Sequence, residues 1–240
     1  MIYGGIKKVD FIYFRGCMGR KRVPEIIRAT EQVLDYAGVS YSIFEDEKCC
    51  GSILLRTGFI EDAKEQIKEN LNILSDSRLL VSCAGCYRTF KVDYPRLFNV
   101  EVNVTHSSQL FHQLLKSGKI QVKKDLKVTY HDPCHLSRHC GEYDAPRKLL
   151  EALGNLVEME DYGVDAQCCG AGGGVKAAYP HIAEKISRKR IKQAIDTGAE
   201  ILCTTCPFCK YNLKSHEMKV MDISEVLLMS MEVSKSKKIN

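Results

Sequence analysis

No apolar run among the 240 residues approaches the roughly 18 needed to cross a bilayer, so no membrane-spanning helix is expected. The first ten residues, Met1 to Asp10, hold two lysines and no apolar core, which excludes a secretory signal peptide in that stretch. Charge of one sign is not concentrated anywhere. The 35 Lys+Arg are scattered among 30 Asp+Glu, a net of +5, and this argues against nucleic-acid binding. With 45% hydrophobic and 27% charged residues, a collagen-like, coiled-coil or largely disordered chain is also excluded. The expectation is a cytoplasmic protein of one large domain or two small ones.

Cysteine is what the chain has in excess. There are 12, at positions 17, 49, 50, 83, 86, 134, 140, 168, 169, 203, 206 and 209. Thiols in a reducing compartment stay free, so this density points to metal rather than to disulfides. The positions repeat. Cys17 is followed after 31 residues by Cys49-Cys50-Gly51, then after 32 more by Cys83-x-x-Cys86. Cys134 is followed after 33 residues by Cys168-Cys169-Gly170, then after 33 more by Cys203-x-x-Cys206. The offset between the two sets stays at 117 to 120, which implies an internal duplication.

Hydrophobic patterning predicts the same architecture twice. Strand-like runs at Val9–Phe14, Val39–Phe44, Arg78–Ser82 and Val100–Thr105 alternate with helical patterns that include Ile60–Leu74 and Ser107–Lys116. The second half repeats this, with strands at Lys127–His131, Leu156–Met159 and Glu200–Leu202 and helices at Ala145–Leu153 and Pro180–Ile195. Such alternation predicts two duplicated Rossmann-like parallel α/β domains related by a pseudo-two-fold axis. The polar connector Lys116–Asp125 places the boundary, giving units over 1–120 and 121–240. The basic tail Ser234–Asn240 is expected to fray. In parallel sheets, ligands gather beyond the strands' carboxyl ends, where every cysteine group falls.

Five convergent thiolates in each half form a soft donor set suited to zinc, copper(I) or iron–sulfur. Zinc takes four ligands and leaves one over. Vicinal cysteines strain to chelate one small ion but can bind two irons of a larger cluster. The glycine after each pair lets backbone N–H groups approach the sulfurs.

The double pattern, with the segments His131-Asp-Pro-Cys-His-Leu-Ser-Arg-His139, Cys168-Cys-Gly-Ala-Gly-Gly-Gly174 and Cys206-Pro-Phe-Cys209, resembles the tandem CCG (cysteine-rich) domain family, which includes the B and D subunits of heterodisulfide reductase. Relatives in that family include iron–sulfur subunits of glycolate oxidase and of anaerobic glycerol-3-phosphate dehydrogenase. The resemblance implies two noncubane [4Fe-4S] clusters, with one cluster plus zinc as the alternative. By motif, Cys17, Cys49, Cys50, Cys83 and Cys86 would hold one. Cys134, Cys168, Cys169, Cys203 and Cys206 would hold the other. It implies an oxidoreductase subunit that reduces a disulfide or oxidises dithiols. The alternative is an electron-transfer subunit of a flavoprotein dehydrogenase acting on a hydroxyacid or glycerol 3-phosphate. No complete C-x2-C-x2-C-x3-C run is present, because Leu213 stands where a fourth cysteine would follow Cys209. Partners expected on this reading are a ferredoxin-like iron–sulfur subunit, a flavoprotein and a small-molecule disulfide or thiol.

His131, His135 and His139 surround Cys134 and are the candidates for protonating a departing thiolate, since imidazole titrates near neutrality. Hydrogen bonding or packing beside the cluster is their plainer role. Arg20, Arg138 and Lys176 are candidates for attracting an anionic substrate, against a solvated face as the alternative. Gly170–Gly174 has the look of a dinucleotide loop but follows Cys168-Cys169 rather than an apolar strand, so it reads as a turn around the cluster. Cys140 and Cys209 have no counterparts in the first half and read as packing residues.

Overall fold

The computed structural model describes residues 9–74, 78–123, 125–215 and 217–231. The expected fraying of Ser234–Asn240 lies outside the described residues. Two four-stranded sheets, all parallel, carry helices on their faces. The first holds β1 (Phe11–Phe14), β2 (Tyr41–Ser42), β3 (Leu79–Val81) and β4 (Val104–His106) in the order β2-β1-β3-β4. The second holds β5 (Leu126–His131), β6 (Gly154–Leu156), β7 (Ile201–Thr204) and β8 (Lys219–Asp222) in the order β6-β5-β7-β8. The duplication predicted from the cysteines is therefore a duplication of the sheet.

The helices of the first half are α1 (Cys17–Arg22), α2 (Pro24–Tyr36), α3 (Ser52–Thr57), α4 (Ile60–Leu74), α5 (Ala84–Arg88), α6 (Tyr94–Phe98) and α7 (Ser107–Lys116). Those of the second are α8 (Ser137–Cys140), α9 (Asp144–Leu153), α10 (Val175–Ala178), α11 (Pro180–Asp196), α12 (Pro207–Leu213) and α13 (Ile223–Ser230). Local sequence explains where they start. Pro24, Pro180 and Pro207 occupy the first helical turn, where a missing N–H costs nothing. Two matching capping boxes open α7 and α13, from His106 with Gln109 and from Asp222 with Glu225.

Along α2 the buried positions Ile26, Ala29, Thr30, Val33 and Leu34 follow helical spacing, which fixes its inner face. That face packs on α13 of the other half, and α7 packs on α9 in the matching place. One apolar core thus runs through both halves, from Val33 and Leu34 through Phe111 and Leu114 to Leu149, Leu150 and Val226. The edge strands are shorter than the sequence predicts. Only Tyr41 and Ser42 of the run Val39–Phe44 pair with β1, because an edge strand has one neighbour and the chain turns away towards Cys49. Between the halves, the stretch after α7 makes one antiparallel bridge, Val122 to Met231. Among the described residues no helix is long and apolar enough to cross a membrane.

Candidate metal centre

Each cysteine group sits where a strand delivers it. Cys17 opens α1 directly after β1 and Gly16, while Cys49 and Cys50 lie in the turn before α3. Cys83 precedes α5 and Cys86 lies within it. In the second half, Cys134 follows β5, Cys168 and Cys169 precede the glycine turn, and Cys206 precedes α12, which carries Cys209. All ten line one cavity of about 460 Å³. The Cys17 and Cys49 sulfurs are 3.8 Å apart. Across the junction, Cys83 of one half and Cys206 of the other are within hydrogen-bonding reach.

The structure does not bring Cys203 to this cavity. It lies in β7, fully buried, its Sγ 3.8 Å from the carbonyl of Thr204 and its surroundings the apolar core shared by the two halves. The place on the cavity wall expected of Cys203 is taken by Cys209, which was read as a packing residue and is buried there against Cys169 and Cys206. Strand register gives the reason. Phe14 pairs with Val81 as His131 pairs with Thr204, so Cys83 matches Cys206, Cys86 matches Cys209, and Cys203 matches Leu80. The offset grows from 117 at the first cysteine to 123 at the last, because the second half has a longer connection. A signal for this was in the sequence. Pro207 favours the first turn of a helix, which puts Cys206, not Cys203, at the helix entrance. Cys140 does not line the cavity, as expected.

The thiols are not equivalent. Hydrogen bonds from Cys17 and then Cys50 hold Cys49 down to about 3, and Cys134 and Cys169 hold Cys168 far below the usual thiol range. Contact with Cys168 pushes Cys169 up to about 12, and contact with Cys49 raises Cys50 likewise. The first member of each vicinal pair is thus favoured as thiolate, and in the second half Cys206 is as well, held down by contact with Cys209 and then Cys83. Thiolates are the form that binds metal.

The turns are cut to fit the sulfurs. At Gly16, with φ 74°, an added Cβ would lie 3.3 Å from the Cys86 sulfur. At Gly170, with φ 92°, a Cβ would lie 2.8 Å from the carbonyl of Ala183, and its N–H instead donates to the Cys168 sulfur at 3.3 Å. Five soft donors per half, glycine turns and backbone N–H donors fit an iron–sulfur cluster in each half better than a four-coordinate zinc.

The histidines are separated by the fold. His135 lines the cavity, and burial pushes it down to about 4. His131 is fully buried behind the cavity, accepts a hydrogen bond from Arg190 at 3.1 Å, and is pushed down to about 3 by burial. His139 is exposed, near Cys134 and His135, and does not line the cavity.

Of the three cations proposed for substrate, only Lys176 lines it. Arg20 is held by Glu47 and Arg138 by the carbonyl of Ala166. Arg22 and Arg56, which sequence reasoning missed, join Lys176, and no carboxylate lines the cavity among the described residues. The glycine turn lines the wall beside Cys168 and Cys169 and does not open off a strand.

Comparison with known proteins agrees with this geometry. The profile of the CCG family, described as a cysteine-rich domain, matches residues 11–91 and 128–214. The chain is 42% identical over 219 residues to the D subunit of dihydromethanophenazine:CoB–CoM heterodisulfide reductase from Methanosarcina acetivorans, covering 86% of this chain and 54% of that one. It is 36% identical to the B subunit of fumarate reductase (CoM/CoB) from Methanothermobacter marburgensis, covering 91% and 46%. It is 31% identical to EtfAB:quinone oxidoreductase of Syntrophomonas wolfei, covering 93% and 34%. The chain spans about half the length of the curated relatives it matches. With two matched copies laid over two like sheets that both deliver five thiols to one cavity, the chain belongs to the CCG cysteine-rich domain family.

Proposed function

We propose that this chain is an iron–sulfur redox unit of a larger oxidoreductase, cleaving a small-molecule disulfide or forming one from two thiols. The ligands are Cys17, Cys49, Cys50, Cys83 and Cys86 for one noncubane [4Fe-4S] cluster. Cys134, Cys168, Cys169, Cys206 and Cys209 hold the other. The observation that carries this reading is the single cavity lined by all ten thiols, with the two sets meeting at Cys83 and Cys206.

The chemistry that two bound clusters supply is a pair of one-electron transfers, which matches the two electrons and two protons needed to turn one S–S bond into two thiols. The protein's own part is to place that bond. Arg22 and Lys176, with no carboxylate on the described wall, favour an anionic disulfide, while Arg56 is neutralised by Asp93 behind the wall. Apolar walls from Met18, Ile53 and Phe208 keep water sparse around it. His135 is the histidine on the cavity wall and is placed to relay a solvent proton to a released thiolate, giving up one ring N–H as its other ring nitrogen gains a proton. His131 and His139 lie off the wall and are not assigned that step. Reducing equivalents come from a ferredoxin-like iron–sulfur subunit or domain and a flavoprotein, in keeping with relatives that are themselves subunits of larger enzymes and about twice as long as this chain.

The similarity to a quinone oxidoreductase supports a second reading, an electron relay between a flavoprotein and a carrier. One experiment separates them. Protein prepared under argon should contain about eight irons with matching sulfide per chain, and should oxidise a one-electron donor such as reduced methyl viologen faster when anionic disulfides are added. Zinc without sulfide defeats the cluster reading. Full iron with no disulfide response and no thiol-induced change in the paramagnetic spectrum favours the relay.

A further inference from the structure

The second half buries a cation with no direct ion pair among the described residues. Arg190, in α11, is 0% exposed. Its Nε donates to His131 Nδ1 at 3.1 Å, and its Nη1 donates to the carbonyl of Asp161 at 2.8 Å and to Gln193 Oε1 at 2.9 Å. Its Nη2 is buried with no partner. Three carboxylates, Asp132, Asp161 and Glu158, lie near enough to offset its charge, but none meets it directly. Asp132 and Glu158 are bound by Arg147, and the Asp161 carboxylate accepts from Gln167 and Gln193. With Arg147 counted, these carboxylates offset the charge of Arg190, and what stays unmet is the hydrogen-bonding capacity of its Nη2.

His131 links Arg190 to the sulfurs. Because its Nδ1 accepts from Arg190, the proton of the neutral ring is on Nε2. Nε2 is buried and has no partner either. The ligand atoms of His131, Cys169 and Cys209 lie within 4.8 Å of one another.

The first half has neither residue. Phe14 holds the place of His131, each ending the first strand of its sheet opposite Val81 or Thr204. Asn70 holds the place of Arg190, at the same distance along the helix from the alanine, Ala63 or Ala183, whose carbonyl faces the CCG glycine. Asn70 is neutral and donates to the Cys49 carbonyl at 2.8 Å. Of the cations of the first half near the cavity, Arg20 and Arg56 are paired with Glu47 and Asp93, and Arg22 lies over the Tyr211 ring of the other half.

We propose that the His131–Arg190 pair makes the two redox centres unequal. His131 donates Nε2–H to the sulfur of Cys169 or Cys209, and Arg190 fixes the ring's tautomer. Reduction adds one electron's negative charge to a thiolate-held centre, so an N–H donor to its sulfur favours the reduced form. The second-half centre therefore takes the first electron, and the first-half centre is the stronger reductant. Both are positioning residues, since neither touches substrate. The inference rests on the cluster reading of the two cysteine sets.

The test is a redox titration of the full chain with a titanium(III) reductant, followed by paramagnetic resonance, with iron and sulfide measured alongside. The wild-type protein should show two midpoints. His131→Phe, which copies the first half, and Arg190→Gln should each move only the higher one downward by about tenfold in reduced-to-oxidised ratio, or about 59 mV for one electron. His131→Gln should hold the wild-type value, since its carboxamide offers an N–H in place of Nε2–H and an oxygen to Arg190. If His131→Phe alone loses iron, Arg190→Gln decides. Movement of the lower midpoint, of both equally, or of neither in iron-replete protein overturns the proposal. So does loss of iron in all three variants. Wild-type protein without iron and sulfide would instead defeat the cluster reading beneath it.

Discussion

Three cysteines spaced i, i+3 and i+6 offer two overlapping C-x-x-C pairs, and only one can sit at a helix entrance. Cys203 is a strand residue whose thiol packs like Leu80 in the first half, while Cys209 stands one helical turn past Cys206 in the cavity. Cys203→Ala should therefore keep its full iron and sulfide and lose about 1 kcal/mol of stability through a small core void. Cys209→Ala should lose about half of the iron, as Cys49→Ala should, because a soft ligand is gone. Iron analysis on anaerobically prepared variants checks both. If Cys203→Ala costs as much iron as Cys209→Ala, the second ligand set is misassigned. Periodic spacing alone found every thiol of the cavity wall except Cys209, which it read as packing. It failed where the connecting loop lengthened, because sequence offset measures residues and register measures strands.

At the scale of single elements, the helices were readable because their own residues define them. Ile60–Leu74 and Ser107–Lys116 have the bounds that apolar spacing predicts. Edge strands such as β2 and β4 were less legible, since two or three paired residues leave almost no periodicity. The capping boxes add a consequence for stability. Asp222 caps α13 with Oδ1 on the Ser224 N–H at 3.0 Å, but its Oδ2 is buried without a partner. Burial pushes this carboxyl up to about 7, with Glu225 adding to the rise and Ser224 and Lys210 opposing it. A carboxyl whose pKa is higher folded than unfolded binds more protons in the folded state, so its contribution is full below about pH 4 and is lost as pH rises through about 7. Asp222→Asn keeps the accepting oxygen and removes the charge. Urea unfolding at pH 5 and pH 8 should show a smaller fall in stability for the variant than for wild type, by an order of a few kcal/mol. Equal pH slopes would show that Asp222 does not carry the effect.

For the whole molecule, the cavity exists because two halves are locked together, and two kinds of contact compete to explain the lock. One is polar. Lys210 of α12 reaches Glu225 of its own half at 2.6 Å and Glu25 of the other half at 2.7 Å, and the Ser224 hydroxyl meets the Ile26 carbonyl at 3.4 Å. The other is the apolar core in which α2 meets α13 and α7 meets α9. Magnitudes favour the second. Glu25 is 37% exposed, so its pair with Lys210 is screened and should be worth about 1 kcal/mol or less. Phe111 is 0% exposed in α7 at the centre of the shared core, and truncating a buried phenylalanine costs about 3–5 kcal/mol. Glu25→Gln should thus shift the urea midpoint slightly and leave disulfide-dependent donor oxidation intact. Phe111→Ala should lower stability several-fold more and also weaken that oxidation in the fraction still folded with full iron, because Cys83 and Cys206 are held in contact only while the halves stay docked. A Phe111→Ala protein that is equally destabilised but turns over like wild type would mean that each half works alone, and that the meeting of the two cysteine sets is not needed for the chemistry.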